Sequence, residues 1–210
     1  MTENRFEECR GYKHILVMGP HRAGTRITAR AMAADLEMEF YDELDIGCSN
    51  IRETFDVFDE CDNAVLQCPA HSSYCLQIVE RYKSKRPIDG LLIVFCMRNV
   101  DDIVASQERI KWKDQSERGK YERKFGDFIA KHPELQDAPI AAIQYAVWEE
   151  LQKPQVPHWF EFHYETLQGH PLWVDKQLRK RFKPLQTWVG QRCYEKRRLT
   201  KSDREKQDRV

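Results

Sequence analysis

The stretch HILVMGPHRAGTRITARAMAADL, His14 to Leu36, decides how the rest of the chain is read. Five residues, HILVM, form an apolar run short enough for a buried strand. A loop bracketed by Gly19 and Gly24 and carrying Arg22 follows, and then a segment near Ala23–Leu36 with helical character. Strand, glycine loop and helix in that order expose unpaired backbone N–H groups at the positive end of a helix dipole. Gly19 and Gly24 permit the turn and close approach of an anion, Thr25 adds a hydroxyl, and Arg22 and Arg26 add charge-assisted donors. The glycines have the spacing of G-x-x-x-x-G-K-[ST], but Thr25 and Arg26 stand where that motif has its lysine and its magnesium-binding hydroxyl. A loop that grips an anion without magnesium loses nothing by this change.

Working outward, the second short strand is expected near Met38–Tyr41 and the third over Asn63–Pro69, ended by a proline that cannot donate to a ladder. SSYCLQIVERYKSK has apolar residues mostly at helical spacing, with Ser72 as N-cap. GLLIVFCM, Gly90–Met97, is apolar throughout, as a strand buried on both faces must be. Asp101 then opens a helix, and HWFEFHY, His158–Tyr164, alternates as a last strand. Strands alternating with helices predict an α/β fold of three layers: a central, mostly parallel sheet of about five strands flanked by helices.

A chain of 210 residues holds one good core. One α/β domain over 1–193 is expected, with a helical insertion near 108–150 and a charged tail at 194–210 that has little to bury. The 34 Lys and Arg residues balance 34 Asp and Glu, which removes any global pull toward nucleic acid or membrane. Anion binding must therefore come from local clusters. Seven cysteines without a CxxC pair argue against a disulfide framework or zinc site and for buried thiols in a reducing compartment. The N-terminus MTENRFEECRGYK lacks an apolar signal core, so a cytoplasmic location is expected.

FCMRNVDDIVAS places Arg98 at the end of the strongest strand, with Ser106 eight residues on. In an open parallel sheet ligands bind outside the carboxyl ends of the strands, which puts Arg98 on the same edge as the first loop. Taken together, GPHRAGTR and MRNVDDIVAS resemble the sulfotransferase family that uses 3′-phosphoadenosine 5′-phosphosulfate (PAPS), whose fold is P-loop-like. There (K/R)-x-G-T-(T/R) grips the 5′-phosphosulfate and R-(N/D)-P-x-(D/E)-x-x-x-S grips the 3′-phosphate. FHYETLQGHP is similar to the family's YEDL strand end, and VLQCPAHSSY to its strand ending in KTP or KTH. The matches run in the family's order from about residue 14 to residue 172.

By position the resemblance implies that Arg22 is the basic residue beside the transferring sulfuryl group. His21, Ala23, Gly24, Thr25 and Arg26 complete the 5′ loop, and Arg98 and Ser106 hold the 3′-phosphate. It implies transfer of a sulfuryl group from PAPS to a hydroxyl or amine, carbohydrate included, with adenosine 3′,5′-bisphosphate as the product and no metal. The general base is then Glu43 or His71. Each also has an ordinary reading, Glu43 in an acidic run with Asp42 and Asp45, His71 beside a helix cap. Gln67 replaces the family's lysine on the third strand, Val100 replaces a proline, and no clear R-K-G segment follows, LRKRFKP around Arg179–Arg181 being the nearest.

Two alternatives remain: a nucleotide kinase-like enzyme of the same loop class, or a non-catalytic nucleotide-binding module. The basic and aromatic segment Arg109–Phe128 either guides an anionic acceptor such as a glycan or forms a solvated amphipathic helix. Trp148, Trp159, Trp173 and Trp188 are expected in the core rather than as sugar platforms. The acceptor and the oligomeric state are left open by the sequence.

Overall fold

The computed structural model describes residues 5–43, 50–112 and 115–173. Five strands, β1 (His14–Met18), β2 (Glu39–Tyr41), β3 (Ala64–Gln67), β4 (Leu91–Met97) and β5 (Trp159–His163), form one sheet in the order β2-β3-β1-β4-β5. Every pairing is parallel. β1 lies at the centre, Leu16 facing Leu66 on one side and Ile93 on the other, which is why HILVM and LLIVFCM read as unbroken apolar runs.

Alternate residues of the strands feed two cores. Leu16, Leu66, Ile93 and Phe95 pack on one face with Phe58, Tyr82 and Trp148. Ile15, Val17, Val65 and Val94 pack on the other with Ala29, Met32 and Phe162. Helix α1 (Thr25–Asp35) covers the second face, while α2 (Ile51–Glu60) and α3 (Cys75–Lys83) cover the first. The result is the expected three-layer α/β arrangement. The helical stretch after β4 comprises α4 (Val100–Arg109), α5 (Gln115–Lys131), the short α6 (Pro133–Gln136) and α7 (Ile140–Val147), with a small core of its own around Tyr121, Ile143 and Val147.

Three local expectations need correcting. Ser72 does not cap α3: Pro69–Tyr74 is a 3-10 turn, and the Ser72 hydroxyl bonds the Pro69 carbonyl at 2.6 Å and the Gly19 amide at 3.0 Å instead. A long-range contact thus takes the side chain that local rules assign to a cap. Asn99, not Asp101, opens α4, its side chain accepting from the Asp101 and Asp102 amides. Trp159 is 42% exposed because β5 is an edge strand, whereas Trp148 is fully buried and stacks on Phe95 at 4.4 Å. Helix α2 had no counterpart in the sequence reading, although Asn50 accepting from the Arg52 amide, with Glu53 three residues on, is a cap signature.

Cys9, Cys61, Cys68, Cys75 and Cys96 are free thiols, and burial pushes those of Cys9, Cys75 and Cys96 up to about 12. Cys48, Asp45, Arg179–Arg181, Trp188, Cys193 and the tail 194–210 lie outside the described residues. Among the described residues, no helix is long and apolar enough to cross a membrane.

His71 gives the fold a pH dependence. It is fully buried, its Nε2 lies 2.6 Å from the Thr54 hydroxyl, and burial lowers its pKa from 6.5 to about 4. Unfolded chains take up this proton near 6.5, so between 6.5 and about 4 the unfolded state binds more protons. Stability is therefore full above 6.5 and declines as pH falls toward 4, by up to about 3 kcal/mol from this group. Urea unfolding at pH 7 and pH 4.5 is expected to show the loss, and His71→Gln to show a smaller one; identical losses in both proteins would exclude His71 as its source.

Candidate functional site

The loop between β1 and α1 turns against β4. Gly19 has φ 135°, and a Cβ there would lie 2.8 Å from the Cys96 carbonyl oxygen, so only glycine fits. The Ala23 amide closes a turn onto the Pro20 carbonyl at 3.0 Å. Arg22 stands in the left-handed region at φ 76° and is exposed. Gly24 then starts α1 at φ 92° with no side chain capping the first helical N–H groups. The helix N-terminus is left open to an anion, as the chain order predicts.

A cavity of about 350 Å³ opens over this terminus at the carboxyl end of the sheet. His21, Arg22, Gly24, Thr25 and Arg26 line it from the loop, and Arg98 lines it from the end of β4. The two basic segments touch. The Arg22 Nε donates to the Ser106 hydroxyl at 3.2 Å, and an Arg98 Nη donates to the Arg22 carbonyl at 3.1 Å. Ser106 accepts from Arg22 and keeps its own hydroxyl hydrogen to donate. Arg98 is further held through its backbone, whose N–H and C=O both bond the Tyr145 hydroxyl at 2.8 and 2.9 Å. Its guanidinium lies 4.5 Å from the centre of the Tyr164 ring, and its Nε is buried without a hydrogen-bond partner.

The other expected residues divide. Ala23 is buried, and its amide is taken by the Pro20 carbonyl. Thr25 accepts from the Gln67 amide at 3.1 Å, which leaves the threonine hydroxyl hydrogen available. Arg26 is gripped by Asp42 through both Nε and Nη2, at 2.6 and 2.7 Å, and lies 3.7 Å from Glu43. Its charge is thus largely balanced within the protein. Glu43 lines the cavity, and burial, then the Asp42 charge, raises its carboxyl pKa against the lowering effect of Arg26. Such a group holds a proton more readily than an exposed carboxylate. His71 does not line the cavity: it is enclosed beneath, with Thr54 on one ring nitrogen.

Gln67, at the end of β3, is 1% exposed and lines the cavity, with its Oε1 unpaired. Three further lining residues were not singled out from the sequence. Arg30 lies one turn beyond Arg26 on α1, a spacing that could have revealed it. Trp112, 42% exposed, packs against His21 with ring centres 4.9 Å apart. Tyr164 fills the space beside Gly24, where a Cβ would lie 2.1 Å from its ring. Trp112 belongs to the basic and aromatic segment Arg109–Phe128 and Tyr164 to FHYETLQGHP, but their packing against His21 and Gly24 joins residues far apart in the chain.

Taken as chemistry, the cavity offers cations from three elements, an uncapped helix N-terminus and two buried polar atoms without partners, Arg98 Nε and Gln67 Oε1. It suits a ligand with more than one anionic group and a hydrogen-bond donor. Compared with protein-family models and with curated protein sequences, the chain matches none.

Proposed function

We propose that the chain transfers a sulfuryl group from PAPS to a hydroxyl or amine acceptor. The observation that carries this reading is the meeting of two basic segments at one cavity, Arg22 on Ser106 and Arg98 on the Arg22 carbonyl. The donor is anionic at both its 5′-phosphosulfate and its 3′-phosphate, and it needs two cationic seats at a fixed separation. The 5′ end is assigned to the amides that open α1, the Thr25 hydroxyl and Arg22; the 3′ end to Arg98 and Ser106.

In an in-line transfer the acceptor atom bonds to sulfur as the sulfur–oxygen bond to the 5′-phosphate breaks, and negative charge grows on the departing oxygen. Fixed donors aimed at that oxygen lower the barrier without reorganising. Arg22 takes this role. A guanidinium acts by charge and not by giving up a proton.

The kinase-like alternative is weakened at two positions. Thr25 stands in place of the phosphate-binding lysine, and Arg26, in place of the magnesium-binding hydroxyl, is held by Asp42. One observation favours a second reading, nucleotide binding without transfer: Gln67 removes a cation from the third strand of the motif.

Thermal shift tests the ligand class without knowledge of the acceptor. Adenosine 3′,5′-bisphosphate is expected to raise the melting temperature and ATP with magnesium to raise it less; the reverse order would point to the kinase-like alternative. Release of the bisphosphate from PAPS then separates transfer from binding alone.

A further inference from the structure

Neither expected proton acceptor is well placed: His71 is sealed away and Glu43 faces Arg26. A third group is better placed. His21 lines the cavity directly before Arg22, which also lines it. The His21 ring is held by packing, against Trp112, and its carbonyl accepts from the Gln107 amide at 3.4 Å. Among the described residues no hydrogen bond to either imidazole nitrogen is present. A histidine fixed by its ring face, with free nitrogens, inside an anion-binding cavity is arranged to meet a ligand.

Resting on the sulfuryl-transfer reading, we infer that His21 is the general base that takes the proton from the acceptor, which docks beside the contacting His21 and Trp112 rings, against the part of Trp112 that is 42% exposed. The step balances. The acceptor oxygen or nitrogen bonds to sulfur, the bond from sulfur to the 5′-phosphate oxygen breaks with its electron pair on that oxygen, and the acceptor's proton moves to the imidazole. The protonated ring returns it to water after the sulfated product leaves. Trp112 supplies a flat apolar wall, so the acceptor class is a hydroxyl or amine carried on a ring that can lie against indole.

The charged groups facing His21 are Arg22 beside it and, from α5, Glu117 and Lys120, which pair with each other at 2.7 Å. Burial lowers the imidazole pKa, Glu117 opposes this, and Lys120 and Arg22 add to it. The ring is therefore neutral at neutral pH, as a base must be.

The test uses the full chain with PAPS and 2-naphthol, a hydroxyl on a ring that can lie against indole, reading release of adenosine 3′,5′-bisphosphate, and calorimetry with that bisphosphate alone. His21→Asn is expected to slow release by about a hundredfold or more and to erase the acidic limb of the pH–rate profile. Bisphosphate affinity should stay within about threefold, because the loop binds at this position through its backbone. His21→Ala should recover activity with added imidazole, which a purely structural histidine would not. An unchanged rate with the acidic limb retained would overturn the assignment, as would a loss of bisphosphate affinity equal to the loss of rate. No release by the unaltered protein, despite tight bisphosphate binding, would remove the transfer reading and this inference with it.

Discussion

Arg98→Ala is expected to lower affinity for adenosine 3′,5′-bisphosphate by about a hundredfold, and affinity for adenosine 5′-monophosphate by less than about tenfold. The larger loss follows from a half-buried guanidinium whose Nε is already without a protein partner, and whose removal would leave the proposed 3′-phosphate seat without its cation. The smaller loss is not zero because Arg98 also donates to the Arg22 carbonyl and covers the Tyr164 ring, so the 5′ loop loosens when it is gone. Arg98→Lys separates the two effects: it keeps a charge but lacks the planar fork and the stacking surface. Calorimetry with both nucleotides checks this. Equal losses for the two would mean that Arg98 only props the loop.

Arg22→Ala should slow PAPS turnover by about a hundredfold to a thousandfold while weakening bisphosphate binding by no more than about tenfold. The asymmetry has a physical origin. On the proposed reading, the ground-state charge beside Arg22 would be shared with the uncapped amides of α1 and the Thr25 hydroxyl, whereas the departing oxygen adds charge only as the bond breaks. Arg22 is exposed and, among the described residues, hydrogen-bonds Ser106 through its Nε and Arg98 through its carbonyl, so the substitution leaves the core intact. Turnover unchanged, with binding unchanged, would strike Arg22 from the catalytic machinery.

Much of the frame could be read residue by residue. HILVM and LLIVFCM became neighbouring strands in the interior of the sheet, because a strand covered on both faces is apolar nearly throughout, the buried His14 being satisfied by the Tyr82 hydroxyl and the Cys61 carbonyl. The order of the motifs was also visible, since the carboxyl ends of parallel strands face one way and bring Arg22 and Arg98 to one edge. Helix α2 is less legible despite its Asn50 cap, as the acidic residues Glu53, Asp56, Asp59 and Glu60 interrupt the apolar face formed by Phe55 and Phe58.

What the amino-acid order by itself determined is therefore the layering, the parallel sheet and the two basic segments at its rim, because local periodicity and strand direction are properties of short windows. What only the tertiary structure decided is the state of each side chain there. Asp42 claims Arg26, Gln67 claims Thr25, Thr54 sits on one ring nitrogen of His71, and Trp112 braces His21. Each of these pairs joins residues at least 16 apart in the chain, and no nearby sequence pattern records a contact made only when the sheet closes.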